Sequence, residues 1–193
     1  MRETAIAAML LLLGPLAAHA ATLPPAASQP CREQTQGRAL DFWVGEWRVV
    51  NAADGSAAGE NRIARLLDGC AITETWHGVE KGDDGMSLFT YDARRHVWDQ
   101  VWVTQDTSRA GGLKHKTMTG ILYANAVRFQ GTIATPKGNI LDRTTLTPWR
   151  DGRVRQTIEW SKNAGKTWKS VFDGFYIRRG APDPGASPAG DPH

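Results

Sequence analysis

Turn signals punctuate the middle of this chain at intervals of roughly 8–12 residues, a spacing that suits short strands and leaves little room for helices. They are Asp54-Gly55, Asp68-Gly69, Asp83-Asp84-Gly85, Asp92-Ala93-Arg94, Tyr123-Ala124-Asn125, Lys137-Gly138, Asp151-Gly152 and Asn163-Ala164-Gly165, all built from residues that tolerate tight-turn dihedrals. Beyond the first twenty residues no window longer than two turns carries a helical apolar stripe, and the segments between turns alternate with period two. The pattern predicts strands near 45–51, 59–67, 70–79, 85–92, 96–104, 112–123, 125–134, 138–147, 153–161 and 167–179. Short connections make neighbours antiparallel, and about ten such strands hide their edges best by closing. The expected fold is all-β, an antiparallel up-and-down β-barrel; an open two-sheet sandwich is the structural rival.

The ends read differently. Arg2, an apolar run from Ala5 to Leu16 and Ala18-His19-Ala20 have the form of a secretory signal peptide over 1–20. Residues 21–37, with Pro24, Pro25 and Pro30, read as a flexible leader, and 180–193 as a disordered Pro- and Gly-rich tail. A single barrel domain is left over 38–179, in a product expected to be periplasmic or extracellular. No later segment is long and apolar enough to span a bilayer as a helix. In an oxidising compartment the two cysteines, Cys31 and Cys70, are read as a disulfide stapling the leader to the barrel edge; a buried Cys70 with a free Cys31 is the alternative. The formal charge of +3 is spread along the chain without a dense basic run, so nucleic acid is not an expected partner.

The domain starts at Asp41-Phe42-Trp43-Val44-Gly45-Glu46-Trp47-Arg48-Val49-Val50, read as a short turn that plugs the barrel followed by a strand with Trp47 and Val49 on one face and Arg48 on the other. Gly45-Glu46-Trp47 resembles the G-x-W motif of the lipocalin/calycin superfamily. That resemblance implies an arginine from the last strand packed over Trp47, for which Arg178, or Arg179 beside it, is the candidate. A wider set is similar to the DUF1579-like group of bacterial secreted proteins: the 41–47 segment, Leu67-Asp68-Gly69-Cys70-Ala71-Ile72-Thr73-Glu74-Thr75-Trp76, Tyr91-Asp92, and Trp98-Asp99-Gln100-Val101-Trp102-Val103. It covers about residues 40–179, departs from the group's pattern at Thr104, and implies a calycin-like barrel without an established reaction.

Alternation places Ile72, Glu74 and Trp76 on one face, Trp98, Gln100 and Trp102 on one face, and Val154, Gln156, Ile158 and Trp160 on one face. Indoles interleaved with amide and carboxylate groups suit a pocket for an amphipathic small molecule, although tryptophans at period two also serve as plain core. The expected ligand-binding set is Glu74, Trp76, Tyr91, Trp98, Gln100, Trp102, Arg143, Thr145, Gln156 and Trp160. An inward Glu74 needs a partner because an unpaired buried carboxylate is costly. Arg143, whose face carries Leu141 and Thr145, is the expected one.

Histidines His77, His96 and His115 read as solvated, the last between Lys114 and Lys116. No pair has zinc-type spacing, and no metal is expected. Nitrobindin-like calycins hold haem through a histidine; none lies on the last strands here, so no cofactor is expected. Ser161-Lys162-Asn163-Ala164-Gly165-Lys166-Thr167-Trp168 resembles a sialidase Asp-box with Asn163 in the acidic place, but its single copy reads as a hairpin stabiliser. Three functions follow: a carrier of a small, partly apolar ligand; an enzyme on the same barrel with Glu74 as acid or base; and a protein-interaction module.

Overall fold

The computed structural model describes residues 30–181. The expected signal peptide, most of the leader and most of the tail lie outside these residues. Ten strands form: β1 (Gly45–Asn51), β2 (Ala57–Leu66), β3 (Ala71–Gly78), β4 (Gly85–Asp92), β5 (Val97–Thr104), β6 (Leu113–Ile121), β7 (Val127–Thr135), β8 (Gly138–Pro148), β9 (Val154–Ser161) and β10 (Lys169–Arg178). Each boundary falls within two residues of the expected one. Every strand pairs antiparallel with its sequence neighbour, and β1 pairs with β10 from Trp47 opposite Arg178 to Asn51 opposite Gly174. The sheet is therefore a closed up-and-down barrel, and the open sandwich is excluded.

Closure is sealed at one end by the segment preceding β1. Leu40 and Trp43 are completely buried, and the Trp43 ring meets Phe89 and Tyr176 edge-on at 5.5 and 6.0 Å. Trp47 Nε1 donates to the Trp43 carbonyl at 2.9 Å, which fixes the plug to the strand that follows it. Arg178 spreads its guanidinium over the Trp47 indole, 4.5 Å from the ring centre, and donates to the Val44 carbonyl at 3.3 Å. A Cβ on Gly45, whose φ is +147°, would come within 2.6 Å of that guanidinium. Glycine is thus demanded both by the backbone and by the arginine.

Residues 30–37 differ from the flexible leader expected there. Two short 3₁₀ turns, Cys31–Glu33 and Gln36–Arg38, lie against the plugged end. Cys31 is buried and bonded to Cys70. Trp98 Nε1 donates to the Gln36 carbonyl at 3.0 Å, Tyr91 donates to Gln34 Oε1 at 3.2 Å, and Arg65 donates to the Gly37 carbonyl at 3.2 Å. A cross-link and three side chains from the barrel thus order a segment whose composition alone could not.

Inside, three levels follow from the position of each inward residue along its strand. Nearest the plug, Trp43, Trp47, Phe89, Phe129, Leu146 and Val154 pack without exposure above 1%. Polar side chains cross the middle. Above them the barrel is hollow. The Ser161–Trp168 turn at the open end is held internally: Asn163 Oδ1 accepts from the Thr167 N–H at 2.9 Å, and Trp168 Nε1 donates to the Gly165 carbonyl at 3.0 Å. Among the described residues no helix is long and apolar enough to cross a membrane.

Candidate functional site

A cavity of about 300 Å³ occupies the open half of the barrel. Its walls are Trp76, Trp102, Trp160, Ile158 and Phe172, and the loop residues Asp83, Arg109, Ala110 and Gly111 frame the mouth. The indoles stand flat against the wall because glycines on adjacent strands leave room for them. A Cβ on Gly59 would come within 2.7 Å of the Trp76 ring, and one on Gly85 within 2.5 Å of the Trp102 ring. Across the mouth, Arg109 donates to Asp83 Oδ1 at 3.3 Å, joining the β5–β6 loop to the β3–β4 loop.

The polar level at the cavity's inner end is a belt of hydrogen bonds running around the barrel. Gln100 Nε2 on β5 donates to Ser87 Oγ on β4 at 3.0 Å, and Ser87 donates to Glu74 Oε2 on β3 at 2.7 Å. Asn61 on β2 donates to Glu74 Oε1 at 2.8 Å and also lies 3.2 Å from the Tyr176 hydroxyl on β10. Tyr176 in turn donates to Gln156 Oε1 on β9 at 2.8 Å. On the opposite side Lys116 Nζ from β6 donates to Asp142 Oδ1 at 2.9 Å and Thr144 Oγ1 at 2.5 Å, both on β8. Lys114 Nζ stands 3.2 Å from Asp142 Oδ2, an ion pair not aligned as a hydrogen bond.

Burial governs the titration of these groups. It pushes the Glu74 carboxyl above its ordinary range, against the pull of the Ser87 and Asn61 hydrogen bonds and the nearby Lys116 and Lys114 charges. Burial also lowers the Lys116 ammonium from 10.5 to about 8, with Asp142 opposing the shift. The Tyr176 hydroxyl is raised, first by burial and then by the Glu74 charge. Two polar atoms of cavity-lining residues, Gln100 Oε1 and Trp160 Nε1, are buried without a protein partner. Each such atom costs about 1–3 kcal/mol unless something else satisfies it.

Six residues of the expected ligand-binding set line this cavity: Glu74, Trp76, Gln100, Trp102, Gln156 and Trp160. The other four do not. Tyr91 and Trp98 face inward but lie at the plugged end, where their rings pack 5.3 Å apart beneath the 30–37 segment. Arg143 does not pair with Glu74. It projects outward, gripping Glu159 through Nε at 2.6 Å and Nη2 at 3.0 Å, with its guanidinium 3.9 Å above the Trp168 ring. Thr145 shares that outer face and is covered by Arg128, whose Nε donates to its hydroxyl at 3.1 Å. The inward face of β8 is Ile140, Asp142, Thr144 and Leu146, all buried.

Lys114, Lys116, Thr144 and Tyr176 line the site without having been expected there. The missed signal was parity. Lys114, Lys116 and Met118 are every second residue, so they share a face whose last member is a core methionine. No family model matches this chain, and no curated protein matches it.

Proposed function

We propose that this protein is a secreted or periplasmic carrier that holds a small, partly apolar molecule inside a calycin-like barrel of the DUF1579-like kind. The observation that carries this reading is the hollow upper barrel, with indole walls backed by glycines and the polar side chains of Gln100, Lys114, Lys116 and Gln156 in its lining. Small-molecule sites combine apolar walls with a few orienting polar groups in this way, and a volume near 300 Å³ suits a ligand at the small end of the range. The Cys31–Cys70 disulfide is compatible with an oxidising compartment. The Trp47–Arg178 stack supports the family reading.

Native mass spectrometry of the protein purified from a periplasmic extract is the test. A non-covalent adduct released on denaturation is the expected result. A bare mass, together with indole emission that no member of a small-molecule panel shifts, would sink the proposal. A second reading, acid–base catalysis in the same cavity, is favoured by the opposed shifts of Glu74 and Lys116; time-dependent consumption of a bound compound would replace the carrier reading with it.

A further inference from the structure

Two ammonium groups share one carboxylate in the cavity wall. The side chains of Lys114, Lys116 and Asp142 are 12%, 2% and 1% exposed. An ammonium carries three N–H donors. Lys116 uses two of them, on Asp142 and Thr144, and Lys114 has no aligned acceptor at all among the described residues. Both lysines line the cavity, whereas Asp142 lies behind them.

The other charged groups nearby give Lys114 no acceptor either. Asp83 and Arg109 neutralise one another at the mouth. Glu74 takes its hydrogen bonds from Asn61 and Ser87 and not from either lysine. The remaining neighbours of the site, Gln100, Gln156 and Tyr176, bring no charge at neutral pH. Lys114 therefore brings an ammonium without an aligned acceptor to the inner end of an apolar cavity. Buried donors left without acceptors are costly, so the site favours an anionic acceptor within reach of both ammonium groups.

We propose that the cavity takes a small organic anion with a flat apolar body, its anionic group held by Lys114 and Lys116 and its body laid against Trp76, Trp102 and Trp160. This rests on the carrier reading and adds the chemical class of what is carried. A carboxylate, sulfonate or phosphate diester meets the charge requirement equally. A cation does not.

A matched pair of dyes separates charge from shape: 8-anilinonaphthalene-1-sulfonate, and N-phenyl-1-naphthylamine, which has the same ring skeleton without the sulfonate. Titrated into the purified full-length protein at pH 7, the sulfonate is expected to bind about tenfold tighter or better, as a buried charge pair would produce. Lys114→Met and Lys116→Met should each remove most of that preference while leaving the neutral dye within about twofold. Asp142→Asn should strengthen sulfonate binding, the opposite of what structural damage would do.

Lys114 makes no hydrogen bond to Asp142, so Lys114→Met is the arm least exposed to misfolding. Near-UV circular dichroism checks the packing of every variant. Equal affinity for the two dyes, or a preference that survives Lys114→Met, would overturn the anion assignment and leave the cavity reading standing. Failure of both dyes to bind would overturn both.

Discussion

Arg178, the last residue of β10, stacks 4.5 Å from the centre of the Trp47 indole near the start of β1. The two ends of the barrel sheet are thus joined by a side-chain contact as well as by backbone pairing. Because Arg178 is solvent-exposed, the stack sits at the weaker end of the cation–π range. Arg178→Ala is expected to lower unfolding free energy by about 1 kcal/mol, with Arg178→Lys recovering part of it. Urea denaturation monitored by tryptophan emission measures this, and dye binding in the cavity should be unchanged.

Glu74 couples stability to pH. Its folded pKa is raised above 4.5, so between that value and the folded pKa the native chain keeps a proton that the unfolded chain has released. Stability therefore falls as pH rises through this window, by at most about 1.4 kcal/mol per pH unit for one group. Lys116 acts in the other direction. Between about 8 and 10.5 the unfolded chain binds the extra proton, and stability climbs with pH. Urea midpoints measured from pH 4 to 10 should show both slopes. Glu74→Gln should remove the first, and a slope that survived it would refute the assignment.

The Cys31–Cys70 bond closes a loop of sequence separation 39 and anchors the 30–37 segment. In the chain-entropy account its reduction costs about 3–4 kcal/mol. Thermal unfolding with and without a reductant tests this. Hydrogen exchange should also rise first at Gln34 to Arg38, since the bond holds that segment to the barrel end.

Gly85 lets the Trp102 ring lie against the wall. Gly85→Val is expected to drive that ring into the cavity and weaken neutral-dye binding about tenfold or more, since a large ring would take up space the ligand needs. The outward Arg143→Ala is the control. Loss of its partly buried ion pair with Glu159 and its stack on Trp168 should cost about 1 kcal/mol of stability. Neither dye's affinity should move; a large change would return Arg143 to the site.

What could be read from the chain alone was periodicity. Alternation along a strand is a local property, so it assigned Glu74, Trp76, Gln100, Trp102, Gln156 and Trp160 to common faces, and turn spacing implied ten short antiparallel strands. The Gly45-Glu46-Trp47 motif likewise pointed to an arginine from the final strand. Height within the barrel was not legible. Trp98 and Trp102 share a face, yet four residues at about 3.4 Å each put one in the plug and the other in the cavity wall.

Nor could alternation say which face of β8 turned inward, because Leu141 and Thr145 offered as plausible an interior as Ile140 and Leu146. Partners across the barrel were decided by closure. Glu74 finds Ser87 on an adjacent strand, and Lys116 finds Asp142 two strands away. A sequence specifies which groups share one face of a strand; only rolling the sheet shut decides which face turns inward and sets the distance between charges far apart in the chain, and hence which of them find partners.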